Sequence, residues 1–358
     1  MPSETRRGLV GEGERIVIKA AFYERNETIR IGDGTQVPPG PDQVQVHVAY
    51  TGICGTDLHI YHGEMDRRTG DSQILGHEIS GVVGAVGEGV TAVKPDDKVT
   101  VIPLDWCGHC PACRAGHTHI CQNLKFLGID APGGMQSYWN VPARVVVKLP
   151  ENLSLRHAAL IEPIAVACHD VRRGEVKEGE FVVVLGGGPI GALQALVAKS
   201  RGATVIVSEI NPFRLQLLKQ LGLEAVNPNE VDLPALVEER TGGAGADAVF
   251  EVTAHPAGAA MMTKLARTRG RLVIVGIFSQ PVPVDLFRVF WRELRIIGAR
   301  VYEREDFETA AKLAASGELP LDALITEVYP LDRLKEALDQ LGHGGSVMKI
   351  LLHCSEDL

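Results

Sequence analysis

The sequence has no apolar run approaching the roughly 20 residues that a bilayer-spanning helix needs, so it offers no membrane anchor of that kind. The first stretch, Met1 to Arg15, is polar and mixed in charge and has no apolar h-region. It reads as a short extension without an export signal, and a cytoplasmic location follows as the expectation. Positive charge is in deficit: 36 Lys and Arg stand against 45 Asp and Glu, a formal net charge of −9. A nucleic-acid binder needs a basic face to meet phosphates, and anionic membrane surfaces attract basic segments, so neither partner is expected. Aromatic residues make up only 5%, without the basic–aromatic interleaving of single-strand binders. Internal repeats and low-complexity tracts are also missing. What remains is 358 residues with 45% hydrophobic content, enough to build a core and about two domains.

The two parts of the chain are patterned differently. From Ile16 to about Lys148 short β segments alternate with Gly- and Pro-rich turns: Val44–Val48, Ile79–Val83, Val99–Ile102 and Val145–Val147. After Pro163 continuous apolar strands alternate with helical stretches. Phe181–Leu185 precedes a glycine turn and a helix to about Ser200; Thr204–Ser208 precedes a helix over Pro212–Leu221; Asp247–Glu251 and Arg271–Val275 continue the series. Strands apolar on both faces and separated by helices predict a parallel, doubly wound sheet. Beyond Gly298 the pattern predicts helices over Asp306–Ser316 and Leu331–Leu341 and a final strand over Val347–Leu351.

Gly186-Gly187-Gly188-Pro189-Ile190-Gly191 fits G-x-G-x-x-G between a strand and a helix. Such a turn lets a pyrophosphate approach the backbone and meet the N–H groups at the helix start. Glu209, at the end of the second strand and eighteen residues past Gly191, can accept hydrogen bonds from ribose hydroxyls and would repel a 2′-phosphate, which favours NAD over NADP. Arg214 is read as lying along the adenine. Thr253 and Gly276 complete the expected cofactor-binding set of Gly186, Gly188, Pro189, Ile190, Gly191, Glu209 and Arg214.

Cys107, Cys110, Cys113 and Cys121 lie within fifteen positions. Four thiolates at such intervals suit a closed tetrahedral zinc site, with an iron–sulfur cluster as the lesser alternative. His109, His117 and His119, lying among them, are read as solvent-facing loop residues. A second set is dispersed: Cys54, the pair His77-Glu78, and Glu162 in Ile161-Glu162-Pro163. One Cys, one His and carboxylates can make a catalytic zinc site, which wants about three protein ligands and one exchangeable position.

On these residues the chain resembles the zinc-containing medium-chain dehydrogenase/reductase family over residues 16 to 352. Gly52-Ile53-Cys54-Gly55-Thr56-Asp57, Gly76-His77-Glu78, the four-cysteine loop and the glycine turn occur in the family's order, and Ile161-Glu162-Pro163 is similar to the polyol and sorbitol dehydrogenase branch. The resemblance implies an α/β fold. A GroES-like, β-rich catalytic domain over residues 1–163 and a Rossmann domain with a doubly wound parallel sheet over 164–297 would be followed by a segment, 298–358, that returns to the catalytic domain. It implies two Zn2+ per chain, one structural on the four cysteines and one catalytic on Cys54 and His77, with Glu78 and Glu162 completing the shell directly or through water. Asp57 would orient a ligand.

The activity implied is hydride transfer between NAD and a secondary alcohol, a polyol or vicinal diol going to a ketose or ketone. Thr56 and His59 would pass the released proton outward, and Tyr61 and Tyr302 would line the pocket. L-Threonine 3-dehydrogenase and butanediol dehydrogenase activities are the rival readings within the family. A zinc-ribbon grip on nucleic acid is the rival outside it. The only partners implied are a small-molecule alcohol and further copies of the chain, as a homodimer or homotetramer.

Overall fold

A computed structural model of the protein describes residues 16–358, so the extension read over Met1–Arg15 lies outside the described residues. Two large sheets dominate. The first is mixed, with strands in the order Val146–Lys148, Lys98–Val101, Glu78–Val86, Gln43–Ile53, Lys349–His353 and Ile325–Pro330, while Tyr138–Pro142 also pairs with Gln43–Ile53. Its long central strand, Gln43–Ile53, is buried over nearly its whole length, because partners cover both of its edges and residues of both faces pack inward. The last strand of the chain is antiparallel to it, with Ile350 opposite Ile53, so the C-terminal residues complete the sheet begun near the N-terminus. A three-stranded sheet (Ile29–Gln36, Ile16–Tyr23, Gln73–Ile74) and the pair Leu104–Asp105 with Lys125–Phe126 flank it.

The second sheet is parallel throughout: Glu224–Val226, Thr204–Ser208, Phe181–Leu185, Ala246–Glu251, Ala266–Ile274, Arg295–Gly298. Sequence order reverses at Phe181–Leu185, and the crevice at the carboxyl ends of strands beside such a reversal is where doubly wound sheets bind ligands. Val182, Val183 and Val184 are fully buried, as expected of a strand covered by helices on both faces. Among the described residues no helix is long and apolar enough to cross a membrane.

The helix Ile161–Arg173 joins the halves. It packs against Arg304–Ser316 on one side and Pro189–Ser200 on the other. Ile161-Glu162-Pro163, which sequence pattern alone does not assign to a helix, forms its first turn. Proline is tolerated there because the first-turn N–H groups have no intrahelical acceptor. The terminal strand starts at Lys349, two residues later than expected, and the Leu331–Leu341 stretch divides into a 3-10 turn and the helix Leu334–Gly342.

Where the joining helix meets Pro189–Ser200, Gln194 Nε2 donates to Asp170 Oδ2, and both residues are fully buried. Burial pushes the Asp170 carboxyl from 3.8 up to about 8, against the opposing pull of the Gln194 hydrogen bond. The folded state therefore holds a proton that the unfolded chain releases near pH 4. Stability from this site is full below that pH and is lost as pH rises through about 8. Asp170→Asn should flatten the pH dependence of denaturant unfolding over that window. An unchanged slope would show that Asp170 titrates normally.

Candidate functional site

Cys54 sits at the end of the strand Gln43–Ile53 and caps the helix Gly55–Tyr61. Asp57, three residues on, accepts a hydrogen bond from the Cys54 N–H (2.9 Å) through Oδ2, and its other oxygen lies 3.7 Å from His77 Nδ1. One fully buried carboxylate thus orients both the cysteine and the histidine. His77 and Glu78 arrive on the neighbouring strand, with Glu78 opposite Gly52. The glycine is required: a Cβ at position 52 would lie 2.0 Å from Glu78 Oε2. Ligand atoms of Cys54, His77 and Glu78 fall within 4.8 Å of one another. The Thr56 hydroxyl is 3.7 Å from Cys54 Sγ, and the Phe126 ring stands edge-on to His77 at 5.4 Å.

Glu162, in the first turn of the joining helix, faces this cluster without belonging to the close trio. The Tyr302 hydroxyl donates to Glu162 Oε1 at 2.8 Å. Burial and the Glu78 charge push the Glu162 carboxyl up to about 7, against the opposing effects of His77, Tyr302 and Lys349. Tyr302 itself is raised well above the usual phenol range by burial and by the Glu162 charge.

Sequence reasoning missed Lys349. Its ammonium is ion-paired with Glu78 Oε2 and donates to the Ile53 carbonyl at 3.0 Å, with only 4% of the residue exposed. Burial disfavours that charge, but Glu78, Cys54 and Glu162 together raise its pKa. The signal was present in Val347-Met348-Lys349-Ile350-Leu351, because a lysine inside an apolar strand has to find a buried partner.

The donor set fits a metal cation. Burial opposes a charge on His77, yet the surrounding Asp57, Cys54 and Glu162 charges push its pKa up to about 10. A thiol, an imidazole and a carboxylate converging in an anionic, buried site form the mixed set that zinc accepts.

The cysteine loop makes a separate site. The four Sγ atoms lie within 4.8 Å of one another, with 3.5 Å between Cys107 and Cys121 and 3.8 Å between Cys110 and Cys121. These are too long for a disulfide and near the edge, about 3.8 Å, of a tetrahedron with 2.3 Å zinc–sulfur bonds. Backbone N–H groups aim at the sulfurs: Cys113 and Gln122 donate to Cys110, and Cys107 and Asn123 donate to Cys121. The His109 N–H and its neighbours lower the Cys107 thiol to about 5, while burial and the adjacent thiols raise Cys113 to about 12.

His119 does not face solvent as expected. It is 8% exposed, its ring meets His169 at 5.2 Å, and its Nδ1 lies 3.6 Å from Glu303 Oε1. The short 3-10 turn Thr118–Ile120 rotates it inward against the joining helix, while His109 and His117 stay exposed. His169, Glu303 and Asp306 also converge, but the Arg172 guanidinium already neutralises both carboxylates.

Two relay and pocket candidates stand apart. His59 is exposed and pairs with Glu64 at 2.9 Å. The Tyr61 hydroxyl is engaged by Asp339 (3.0 Å) and Lys335 (2.8 Å) on the helix Leu334–Gly342, and the structure does not join it to the Cys54 cluster.

At the parallel sheet, Gly188 caps the helix Pro189–Ser200 and Pro189 occupies its first position. A Cβ at Gly191 would lie 1.9 Å from the Gly186 carbonyl, so helix and turn can touch only at glycine. Glu209 braces the turn: Oε2 accepts from the Gly187 N–H at 2.8 Å, and Oε1 from Ile210 and Asn211. Thr253 borders Gly186, and the Gly276 N–H donates to the Glu251 carbonyl, so both stand at the same carboxyl edge. Arg214 reaches back beside Gly188 with its buried Nε unpartnered, leaving a cationic donor next to the turn.

Lys349→Met would strand the Glu78 carboxylate without its cation. The expected loss is about 3–5 kcal/mol of unfolding free energy, measured by denaturant titration, with Lys349→Arg recovering part of it. A loss below about 1 kcal/mol would mean that Lys349 does not balance Glu78.

Residues 40–151 match the alcohol dehydrogenase GroES-like domain, and residues 189–316 match the zinc-binding dehydrogenase family. The chain is 50% identical to 2-dehydro-3-deoxy-L-galactonate 5-dehydrogenase of Pseudoalteromonas atlantica, over 94% of this chain and 99% of that protein. It is 34% identical to sorbitol dehydrogenase of Halalkalibacterium halodurans, over 88% and 92% of the two. Among solved structures, 2R,3R-butanediol dehydrogenase from Bacillus subtilis superposes with a TM-score of 0.87 at 33% identity, covering 94% of this chain and all of that one. The chain therefore belongs to the zinc-containing medium-chain dehydrogenase/reductase family, in its polyol branch, and is an oxidoreductase acting on secondary alcohols.

Proposed function

We propose that this enzyme oxidises a secondary hydroxyl of an acyclic sugar acid, with NAD as the hydride acceptor. The observation that carries the reading is the buried Cys54–His77–Glu78 cluster, framed by Asp57, Glu162, Tyr302 and Lys349, on a chain half identical to a sugar-acid 5-dehydrogenase. Cys54 and His77 would hold the catalytic zinc, with Glu78 and Glu162 completing its surroundings directly or through water. Cys107, Cys110, Cys113 and Cys121 would hold the structural one. When bound, zinc supplies Lewis acidity toward a hydroxyl and the nicotinamide supplies a hydride acceptor.

The remaining work falls to the chain. Asp57 fixes the orientation of His77 and Cys54. Lys349 holds Glu78 in place, and Tyr302 holds Glu162. Thr56, beside Cys54, takes up the hydroxyl proton and passes it outward, and His59, on the exposed face of the same helix, releases it to solvent. Glu209 supports NAD, since its carboxylate braces the turn and retains lone pairs for ribose hydroxyls while opposing a 2′-phosphate. Arg214 lies along the adenine side of that site.

A homo-oligomer is part of the same proposal. Among the described residues the edge strand Arg295–Gly298 has one side without a strand partner, and beside it the helix Leu286–Trp291 exposes Leu286, Phe287, Phe290 and Trp291, each by two thirds or more. An apolar patch beside an unpaired edge suits a second copy of the same surface. A cytoplasmic location is in keeping with seven cysteines that all stand as free thiols.

Steady-state assays on aldonates, 2-keto-3-deoxyaldonates, alditols, vicinal diols and L-threonine test the substrate class. A sugar acid with NAD should give the highest kcat/KM, and preference for L-threonine or for NADP would refute the reading. Cys54→Ala should abolish turnover while NADH still binds in a fluorescence titration. Retained turnover would remove Cys54 from the reaction.

A further inference from the structure

Glu251 ends the parallel strand Ala246–Glu251 and is fully buried, yet it makes no ion pair among the described residues. A buried carboxylate is costly unless hydrogen bonds replace its water. Here they come from the turn that follows. Oε1 accepts from the Thr253 N–H at 3.0 Å and from the Thr253 hydroxyl, and Oε2 accepts from the Ala254 N–H at 3.2 Å. The Glu251 backbone carbonyl also accepts from the N–H groups of Val275 (3.0 Å) and Gly276 (2.9 Å), just past the strand Ala266–Ile274. One residue therefore holds the turns that leave two adjacent strands at their carboxyl ends.

The surroundings keep space for this carboxylate. A Cβ at Gly276 would lie 2.7 Å from Glu251 Oε2, and a Cβ at Gly258, in the helix Pro256–Leu265, would lie 2.6 Å from the Thr253 hydroxyl oxygen. Ala254 has φ 53, a left-handed conformation that residues other than glycine rarely take and that persists only where neighbours fix it. Its N–H bond to Glu251 is one such constraint. Thr253 gives its hydroxyl proton to Glu251 and accepts from the His255 N–H at 3.0 Å, so that hydroxyl is occupied within the turn. The Thr253 methyl abuts Gly186, where a Cβ would lie 3.0 Å from it.

The side of the sheet on which this happens identifies what the turn would meet. Sequence order reverses at Phe181–Leu185, with Glu209, just after Thr204–Ser208, on one side and the Glu251 turn on the other. A dinucleotide bound across such a reversal puts one mononucleotide half on each side. With Glu209 facing the adenosine ribose, the half over Thr253, Ala254 and Gly276 is the nicotinamide half.

We infer that Glu251 is the positioning residue for the nicotinamide half of the cofactor: its carboxylate locks the Thr253–Ala254 turn against Gly276 and so shapes the wall on which that half rests. This rests on the nicotinamide-dinucleotide reading above. Glu251 lies beneath the turn and takes no part in hydride or proton transfer.

The test measures dissociation constants of the zinc-loaded enzyme for the reduced dinucleotide and for AMP, which carries only the adenosine half. NADH or NADPH is used, whichever the wild type binds more tightly, so a failure of the NAD preference is seen separately. Glu251→Gln replaces one accepting oxygen by an amide N–H2 that faces N–H donors. It should weaken dinucleotide binding roughly 10-fold and leave AMP binding within about twofold of wild type, with KM for the dinucleotide raised and KM for the alcohol unchanged. Thr253→Val removes a single donor and should give a smaller loss of the same selectivity, which keeps the test open if Glu251→Gln fails to fold. Equal losses for dinucleotide and AMP in the folded variants would show that Glu251 supports the whole domain, and unchanged dinucleotide binding would show that the turn does not need it. Either result would overturn the inference.

Discussion

Lys349 and Glu78 form an ion pair that is almost wholly removed from water, and the rest of the site is arranged around it. A buried carboxylate without a counter-charge is among the most costly features a fold can carry, whereas a paired one is tolerable. The lysine fixes the position of Glu78, and Glu78 occupies the space above Gly52 that no other residue type would leave open. Around this pair stand the Cys54 thiol and the Asp57 and Glu162 carboxyls. The collection remains short of positive charge after Lys349 is counted, and the high His77 pKa expresses that shortage. A divalent cation resolves it, and the donors present are those zinc prefers.

The topology explains how such a set is gathered. Ile53 and Ile350 are directly paired although they stand nearly three hundred positions apart in the chain, so a C-terminal strand brings Lys349 to the strand that ends at Cys54. Tyr302 comes from the segment leaving the parallel sheet, and Glu162 from the helix that touches both halves. Each group that balances or orients the cluster therefore comes from a different part of the chain.

This also decides what could be read from the sequence. The cysteine loop and the glycine turn are local: their spacing sets their geometry, so Cys107 to Cys121 and Gly186 to Gly191 are legible as sites from residue order alone. The alternation of apolar strands with helices likewise gives the parallel sheet, and short β segments give the mixed one. Cys54, His77 and Glu162 become a set only through family resemblance, since nothing in their separation says that they meet. Lys349 escapes notice because one charge in an apolar strand names no partner. His119 defies the expectation of a solvent-facing loop residue because a 3-10 turn, invisible to periodicity, rotates it inward.

On the proposed reading the chain carries two separate metal-binding environments, one closed by four sulfurs and one built from Cys54, His77 and nearby carboxylates. Elemental analysis of the purified protein alongside its Cys54→Ala variant tests this most directly. Two zinc ions per chain are expected in the wild type and one in the variant, the survivor belonging to the cysteine loop. One ion in each protein, or two in both, would contradict it.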